Sequence, residues 1–320
     1  MKKTILAYNR VTPEMIQPYA DEFDIVLTHP GEPDFDRVFQ QALPRVHGLI
    51  GSNLKLGRET LGNAPLLEVV STISVGYDNC DVQYLREKGI QLTNTPNVLN
   101  ASTADLAFAL ILATARRIPE LDAWTKSGQW DRTIADAEFG CDVHGKTLGI
   151  IGMGNIGSAI AQRGRWGFDM RILYSGKSRK PELERALDAH FVEMDQLLAE
   201  ADFICPVVPL NEQTRHLLSH REFALMKPGA IVVNVSRGPV VDEQALVEAL
   251  QNNTIRGAGL DVFEQEPLRS SPLFDMKQVV TVPHIGSATA ETRLAMARLA
   301  LQNLICALRG ERPKNLVKFA

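Results

Sequence analysis

The chain has 320 residues, of which 45% are hydrophobic and 22% are charged, the range of ordinary globular proteins and enough for two domains. Its formal net charge of -4 lacks the strong basic excess that binds phosphate backbones, so nucleic acid is not an expected partner. The longest apolar stretch, residues 106–115, is too short to cross a bilayer, and we expect no membrane partner either.

In the first hundred residues, apolar runs rich in Ile and Val alternate with helical patterns. The runs are residues 5–7, 25–27, 48–50 and 69–73. Strands without polar alternation are buried on both faces, so these runs predict a parallel sheet covered by helices. The run at 5–7 is too short for a signal-peptide core, and we interpret it as the first strand.

A turn-forming cluster at residues 93–97, Thr-Asn-Thr-Pro-Asn, is a candidate hinge. Directly after it, Asn100 and Ser102 offer N-caps to a long helix that should run to about Arg117, because Pro119 stops it. This helix is apolar on most sides. It is therefore either a core helix or a helix that also packs against a second subunit.

A second α/β run begins near Lys146. Its apolar segments predict further strands at residues 148–151, 171–174, 201–205, 230–235, 257–261 and 279–282. A last long helix, residues 289–308, can cross back to the first run. The expected fold class is α/β, with two doubly wound parallel-sheet domains.

Cysteine usage indicates the environment of the protein. Cys80, Cys141, Cys205 and Cys306 are widely separated and form no Cys-x-x-Cys or Cys/His cluster. This spacing predicts neither a metal site nor a redox motif, and we expect a reduced, cytoplasmic setting.

A glycine-rich loop lies between the strand at 148–151 and a predicted helix at 158–165. It carries Gly152, Gly154 and Gly157, with Asn155 and Ile156 before the last glycine. Glycines allow a tight turn, close approach of the backbone to a pyrophosphate, and close packing of helix on strand. The helix N-terminus adds N–H donors for the anion. The motif alone also fits a structural turn, but its strand-turn-helix context favours a dinucleotide site.

The residues after the strand at 171–174 bear on which dinucleotide binds. An NAD site usually has an acidic residue there to accept from the ribose hydroxyls. This chain instead has Ser175, Lys177, Ser178 and Arg179, with no carboxylate before Glu182. Hydroxyls and cations suit a 2′-phosphate, so we predict NADPH as cofactor and NADH as the weaker alternative. A solvated basic loop is the other interpretation.

Three ionisable residues follow later strands, at the edge where open α/β sheets bind ligands. Arg237 follows the strand at 230–235, Glu266 follows the next strand, and His284 follows the last. An Arg fork can hold a carboxylate, and His is the side chain whose charge changes nearest neutral pH. Each residue taken alone is more often a structural or surface residue.

Together, these segments resemble the D-2-hydroxyacid dehydrogenase family over nearly the whole chain. The matching motifs are Ser-Val-Gly-Tyr-Asp-Asn at 74–79, Gly-Ile-Ile-Gly-Met-Gly-Asn-Ile-Gly at 149–157, Val-Ser-Arg-Gly at 235–238, Gly-Leu-Asp-Val-Phe-Glu-Gln-Glu-Pro at 259–267 and Pro-His-Ile-Gly-Ser-Ala at 283–288. The resemblance implies a flavodoxin-like substrate domain, residues 1–98 and 292–320. It also implies a Rossmann-type dinucleotide domain, residues 99–291, with the active cleft between the two domains.

The resemblance also implies roles for individual residues. Arg237 would bind the substrate carboxylate and keto oxygen, His284 would be the acid/base, and Glu266 would hold His284. Val75 and Gly76 would offer backbone N–H groups to the carboxylate. The 74–79 segment also fits an ordinary turn. No metal ion is expected in this chemistry.

The same resemblance implies further contacts with the cofactor. Asp261 would lie near the nicotinamide, Pro209 and Thr214 would line the path of the cofactor, and Val235 and Gly286 would complete its site. Asp261 could alternatively only cap a turn.

Glyoxylate/hydroxypyruvate reductases and 2-ketogluconate reductases are the branch that the chain resembles most. We therefore expect NADPH-dependent reduction of glyoxylate, hydroxypyruvate or 2-ketogluconate to D-2-hydroxy acids, with His284 as proton donor. Family resemblance also implies a homodimer through the helix that starts near Ser102.

Other members of the superfamily fit less well. Formate dehydrogenases are expected to have Gln in place of Glu266, and phosphoglycerate dehydrogenases often carry a regulatory tail after the last helix. The C-terminal-binding-protein corepressors share the fold and catalytic-type residues, so binding without turnover is the alternative from another functional class. A turnover assay separates these possibilities.

Overall fold

A computed structural model describes residues 2–318. The strands are β1 Thr4–Tyr8, β2 Asp24–Thr28, β3 Val46–Gly51, β4 Val69–Thr72, β5 Gln91–Thr93, β6 Thr147–Ile151, β7 Arg171–Ser175, β8 Ala189–Phe191, β9 Phe203–Pro206, β10 Ile231–Asn234, β11 Gly257–Leu260 and β12 Val279–Thr281. The α-helices are α1 Pro13–Ile16, α2 Phe35–Ala42, α3 Arg58–Leu61, α4 Val82–Glu87, α5 Asn100–Ala115, α6 Ile118–Lys126, α7 Asn155–Phe168, α8 Pro181–Leu187, α9 Met194–Glu200, α10 His220–Leu225, α11 Glu243–Gln251 and α12 Ala290–Leu308. Short 3-10 helices lie at Gln17–Tyr19, Leu43–Arg45, Asp136–Glu138, Gly238–Val240 and Pro272–Asp275.

The described chain forms two compact units. One runs to Leu99 and resumes at Thr289, and the other is Asn100–Ala288. The domain boundaries implied by the family resemblance, 98/99 and 291/292, fall within a few residues of these limits. The substrate and dinucleotide roles of the units remain predictions.

The first unit contains a parallel sheet in the order β2-β1-β3-β4-β5. This is the flavodoxin-like order, in which crossover helices cover both faces. α12 returns to this sheet from late in the chain. Gly48 leaves room for Leu308, because a Cβ there would come 2.9 Å from its Cδ1. The hydroxyl of Ser71 donates to the carbonyl of Ala300 at 2.7 Å.

The second unit contains a parallel sheet in the order β12-β11-β10-β9-β6-β7-β8. Read from the other edge, the order places β6 between β7 and β9, so the winding reverses there. Ligands of open α/β sheets bind outside the carboxyl ends of the strands at such a point. Hydrophobic clusters lie on both faces of this sheet, one around Ile150 and Phe203 and one around Ile204 and Val232. The predicted fold class is confirmed.

Some element boundaries differ from the sequence predictions. The helix expected to run to Arg117 ends at Ala115, where the chain turns through Arg117 in the left-handed region, φ 57. Pro119 then lies in the first turn of α6, where its missing N–H is harmless, so it starts a helix as well as stopping one. The strands β5 and β8 were not predicted, since three residues at or near a sheet edge leave little periodic signal.

Candidate active site

The glycine loop follows β6, at the reversal point of the second sheet. Gly152 has φ +101, and a Cβ there would lie 2.5 Å from the carbonyl oxygen of Val207. A Cβ on Gly157 would lie 2.3 Å from the carbonyl of Gly152, so the start of α7 packs closely on the loop. Around Gly154, in contrast, no heavy atom of residues 2–318 beyond its own chain neighbours lies within 4 Å of where a Cβ would be.

These differences fit a loop shaped around a pyrophosphate. The open position at Gly154 leaves space in front of the N-terminus of α7, where the first N–H groups have no intrahelical acceptors. Asn155 and Ile156 supply the first residues of that helix. The residues present therefore fit the phosphates of a dinucleotide.

The segment after β7 lies beside this loop. The carbonyl of Ser175 accepts from the N–H of Gly152 at 2.9 Å, and Ser175 is partly buried. Lys177 and Ser178 are exposed, and among residues 2–318 the Lys177 ammonium makes no hydrogen bond or ion pair. The backbone at the start of this segment therefore lies against the glycine loop, and a Cβ on Gly176 would lie 3.9 Å from Cα of Gly152.

Arg179 has a partner of its own. Its Nε and Nη2 donate to the two oxygens of Glu184, at 3.1 and 2.7 Å, and the hydroxyl of Tyr174 donates to Glu184 at 2.6 Å. The hydrogen bonds from Arg179 and then Tyr174 lower the pKa of Glu184 to about 2, so the pair stays charged near neutral pH. Arg179 can reach another anion only with donors that Glu184 does not occupy.

The loop after β9 is closed by Thr214. Its hydroxyl donates to the carbonyl of Pro209 at 2.6 Å and accepts from the N–H of Asn211 at 2.9 Å. This loop follows the strand on the other side of the reversal point. It is therefore held in one conformation next to the glycine loop, as the register of Ile151 with Pro206 requires.

Arg237 projects from a turn that follows β10. The buried Asn234 holds this turn, because its amide donates to the carbonyl of Arg237 at 2.9 Å and its oxygen accepts from the N–H and hydroxyl of Ser236. The guanidinium Nη1 of Arg237 donates to the carbonyl of Ser236 at 2.7 Å. The neighbouring Val235 is buried at the end of the strand.

Glu266 and His284 are in direct contact. Oε2 of Glu266 lies 2.6 Å from Nδ1 of His284, and Oε1 accepts from the N–H of Phe263 at 3.1 Å. About half of the His284 side chain, 49%, remains exposed, so the other edge of its ring can meet a ligand. The two residues therefore have the geometry of an acid/base and the carboxylate that orients it.

Electrostatics keep Glu266 ionised. Partial burial works to raise the pKa of Glu266, but the hydrogen bond and charge of His284, the N–H of Phe263 and the charge of Arg237 together lower it below its usual value. Arg237 thus acts electrostatically on the same carboxylate that His284 contacts. The three predicted residues are brought to one edge of the sheet.

Asp261 fixes the backbone around His284. Its carboxylate accepts from the N–H groups of Ile285 at 2.5 Å and Gly286 at 2.8 Å, and its carbonyl accepts from the N–H of His284 at 2.9 Å. Asp261 is 1% exposed, and burial raises its pKa. Gly286 leaves room for this carboxylate, since a Cβ there would lie 3.1 Å from Oδ2. Asp261 therefore makes the contacts of a residue that caps a turn.

Val75 and Gly76 belong to the other compact unit, directly after β4. Their carbonyls are occupied: Asn94 donates to that of Val75 at 2.8 Å, and the hydroxyl of Ser74 donates to that of Gly76 at 2.6 Å. The backbone of this turn is therefore fixed by polar contacts within its own unit.

Sequence reasoning missed the residues that support this site. Asn234, Glu184 and Glu264 each bond a loop that carries a predicted site residue. Asn234 had a local signal, since an Asn two residues before a Ser can accept from that N–H and form an Asx turn. The two glutamates had none: Glu184 meets Arg179 only because of how the turn after β7 leads into α8, and the partners of Glu264 come from other loops.

Comparison with known proteins identifies the family. The family model for the D-isomer specific 2-hydroxyacid dehydrogenase, NAD binding domain, matches residues 108–286. Glyoxylate/hydroxypyruvate reductase B of Klebsiella pneumoniae subsp. pneumoniae is 46% identical over 318 residues, which are 99% of this chain and 98% of that protein. The chain therefore belongs to the D-isomer specific 2-hydroxyacid dehydrogenase family and is an oxidoreductase with a nicotinamide cofactor.

Solved structures agree in fold. A glyoxylate reductase from Paecilomyes thermophila is 31% identical, with a TM-score of 0.89 and coverage of 99% of this chain and 98% of that chain. An NADPH-dependent glyoxylate/hydroxypyruvate reductase from Sinorhizobium meliloti, in complex with NADP and malonate, is 32% identical, with a TM-score of 0.88 and coverage of 99% and 97%. Within residues 2–318 of the present chain, no helix has both the length and the apolar content to cross a membrane.

Proposed function

We propose that this protein reduces small 2-keto acids, namely glyoxylate, hydroxypyruvate and 2-ketogluconate, to D-2-hydroxy acids with NADPH. The observation that carries the proposal is the 2.6 Å contact between Glu266 and His284, beside Arg237 and at the same sheet edge as the glycine loop. The similarity to the glyoxylate/hydroxypyruvate reductases from Klebsiella pneumoniae and Sinorhizobium meliloti supports the first two substrates. The third rests on sequence resemblance alone.

His284 is the proposed proton donor. The bound cofactor supplies a hydride to the keto carbon, and the oxygen of that group must then gain a proton. Glu266 engages Nδ1 of His284, so Nε2 is the ring nitrogen that would deliver this proton. Reduction requires the doubly protonated ring as proton donor, and the ionised Glu266 gives that ring an anionic hydrogen-bond partner.

Arg237 is the proposed substrate anchor. Its planar guanidinium can hold a carboxylate through paired N–H donors and polarise the adjacent keto oxygen. We also propose that the backbone N–H groups of Val75 and Gly76 bind the same carboxylate. Their fixed turn supports this role, since a preorganised donor loses little entropy on binding.

The cofactor is proposed to lie along the reversal point of the second sheet. Gly152, Gly154, Asn155, Ile156 and Gly157 would receive its pyrophosphate. The further contacts proposed along its path to the nicotinamide are those of Pro209, Thr214, Val235, Asp261 and Gly286. The closed Thr214 turn and the buried Asp261 support them by presenting a fixed backbone.

NADPH is the proposed preference over NADH. Ser175, Lys177, Ser178 and Arg179 stand where a carboxylate would otherwise meet the ribose. The unengaged Lys177 ammonium is the strongest candidate for the 2′-phosphate, and Arg179 contributes only through donors that Glu184 leaves available.

A homodimer is proposed to form through α5 and α7. A groove between these helices has an apolar floor of Phe108, Ala109, Leu112, Trp166, Gly167 and Phe168 with Asp105, Gln162 and Arg163 also lining it, and 66% of Trp166 is exposed. Such an exposed apolar surface is typical of a subunit interface.

The test is a kinetic panel. Initial rates with the three keto acids, each with NADPH and NADH, should show turnover with at least glyoxylate or hydroxypyruvate and a higher kcat/KM with NADPH. A folded protein that binds NADPH but turns over none of the three would contradict the proposed function. It would instead favour the binding-only alternative.

A further inference from the structure

A polar cluster joins the loops that follow β9, β10 and β11, and the proposed chemistry does not use it. We call it the His216 cluster: His216, Asp242, Glu243 and Glu264. His216 lies after β9, Asp242 and Glu243 lie where the segment after β10 enters α11, and Glu264 lies after β11. The cluster therefore spans three of the loops at the proposed active edge.

Backbone hydrogen bonds join the loop after β9 to the segment after β10. The N–H of His216 donates to the carbonyl of Pro239 at 2.8 Å, and that of Leu218 donates to Val240 at 3.2 Å. The N–H of Asp242 then donates back to Leu218 at 2.9 Å. The loop after β9 thus runs parallel to the segment that leaves the proposed substrate-binding arginine.

The side chains attach the third loop. Nε2 of His216 lies 2.8 Å from Oε1 of Glu264, and its Nδ1 lies 3.8 Å from Oδ2 of Asp242. Glu264 and Glu243 also exchange bonds, since the N–H of each donates to the carboxylate of the other at 3.2 Å. The His216 ring is the side chain through which the loop after β9 contacts the loop after β11.

The loop held in this way carries Glu266. Glu264 is two residues before it, and the intervening turn is closed by the bond from the N–H of Phe263 to Oε1 of Glu266. The other oxygen of Glu266 contacts His284. A rotation of the 261–267 loop would therefore move the carboxylate away from the imidazole.

We propose that His216 is a positioning residue, which bonds Glu264 so that the 261–267 loop aims Glu266 at His284. The inference rests on the proposed function of that pair. His216 has φ +51, in the left-handed region that residues other than Gly adopt only when their surroundings require it. The side chain is 40% exposed, so its bond contributes little to the free energy of unfolding. Its effect is on the orientation of the 261–267 loop.

The charges around the cluster favour this clamp. Partial burial works to raise the pKa of Asp242, but bonds from the N–H of Ala245 and the hydroxyl of Ser219, with the nearby His216 and His220, lower it overall. Asp242 is thus ionised and faces the ring of His216. Both of its oxygens are engaged, which argues for a hydrogen-bonded clamp over a metal site, although the possible ligand atoms of His216, Asp242 and Glu264 lie within 4.8 Å of one another.

The test compares two substitutions of His216, of which only one can keep the hydrogen bond to Glu264. Leu and Gln are both unbranched at Cβ, so His216→Leu and His216→Gln strain the left-handed backbone alike, but only Gln keeps an N–H that can donate to Glu264. The matched control is His220→Gln, since His220 lies four residues on and also faces a carboxylate, that of Glu248 at 3.7 Å. Assays contain EDTA, and the thermal midpoint of each variant is recorded.

We expect His216→Leu to lower reductive kcat/KM about two- to fivefold, the range for loss of a partly exposed pair. The pH at which reduction falls to half should also move lower, because Glu266 is then no longer held against the His284 ring. His216→Gln should restore both the kcat/KM and this pH, and His220→Gln should change neither of them. If His216→Leu does not fold, Glu264→Ala takes its place and should show the same two effects.

A second measurement is independent of turnover. The ring resonances of His284, followed by NMR of histidine-labelled protein at one pH, should shift in His216→Leu and return toward the parent in His216→Gln, because they report the contact of the ring with Glu266. If the parent turns over no keto acid, the proposed function fails while these resonances still test the clamp. Parent-like pH profiles and unmoved His284 resonances in folded His216→Leu would overturn the inference, whatever its thermal midpoint.

Discussion

The imidazole of His284 is held in place by one contact to its backbone and one to its ring. Its backbone adopts φ 52 and its N–H donates to the carbonyl of Asp261, while Glu266 engages Nδ1 of its ring. General acid catalysis contributes about 10²–10⁴-fold. We therefore expect His284→Ala, and likewise Arg237→Ala, to lower reductive kcat/KM at least about a hundredfold.

Steady-state kinetics on folded variants check this expectation. Circular dichroism and the thermal midpoint serve as the folding control. Near-parent turnover by folded His284→Ala would remove this residue as proton donor.

Replacing Glu266 tests the charge separately from the hydrogen bond. Glu266→Gln keeps the size and an acceptor but removes the negative charge that faces the His284 ring. Since reduction needs the protonated ring, the pH at which reductive kcat/KM falls to half should move lower, and the loss should be greatest near neutral pH. The measurement is a pH–rate profile from acid to alkaline pH. Superimposable profiles would mean that the carboxylate does not tune the imidazole.

The loops that follow β10 and β11 approach each other closely at Gly238. A Cβ there would lie 1.8 Å from the carbonyl carbon and oxygen of Phe263, which are backbone atoms and cannot yield as a side chain does. Gly238→Ala should therefore lower the free energy of unfolding by at least about 1–3 kcal/mol, the usual penalty for overpacking. It should also reduce turnover, because it separates the loop of Arg237 from that of Glu266.

Denaturant unfolding of Gly238→Ala and of Gly229→Ala makes the comparison. In the described part of the chain, no heavy atom apart from the chain neighbours of Gly229 lies within 4 Å of a Cβ there, so that control should unfold like the parent. Equal unfolding curves for the two variants would show that the loops can part without penalty.

The loop after β7 governs the proposed choice of cofactor. In Ser175→Asp/Lys177→Ala, the new carboxylate can accept from ribose hydroxyls and repels a 2′-phosphate, and the unengaged cation is gone. A hydrogen bond to a charged group contributes roughly 1.5–3 kcal/mol, so kcat/KM with NADPH should fall about tenfold or more while that with NADH holds or rises. The exposed Lys180→Ala in the same loop is the control.

Two results would count against this loop. One is a parent enzyme that prefers NADH, and the other is a double variant that loses both cofactors equally.

The sequence predicted the features that local residue patterns encode and missed those that depend on contacts between separate segments. The glycine loop and the Ile- and Val-rich strands are local patterns, and the structure has both. The pairing of Arg179 with Glu184 was not predicted, because it depends on how a turn leads into α8. The bond between His216 and Glu264 joins loops 48 residues apart in the numbering, and no pattern within either loop encodes it.

At the scale of the whole molecule, the exposed Trp166 gives a test of assembly. If α5 and α7 form the proposed dimer interface, Trp166→Glu places a charge in a buried apolar contact and should convert the dimer to monomer. Light scattering coupled to gel filtration measures the mass. Phe274→Glu, at a side chain that is 50% exposed outside this groove, should leave the mass unchanged. A parent that is monomeric, or a Trp166→Glu protein that stays dimeric, would contradict the proposed interface.

The return of α12 to the first sheet sets an order of events during synthesis. The hydroxyl of Ser71 bonds a carbonyl that is 229 residues later in the chain. Because ribosomes add about 5–20 residues per second, β4 is made roughly ten to fifty seconds before the helix that covers it. The second unit, Asn100–Ala288, is made complete within that interval and can fold while the first is still unfinished. Until α12 is made, the nascent chain therefore lacks the helix that packs on β3 and β4 in the folded protein.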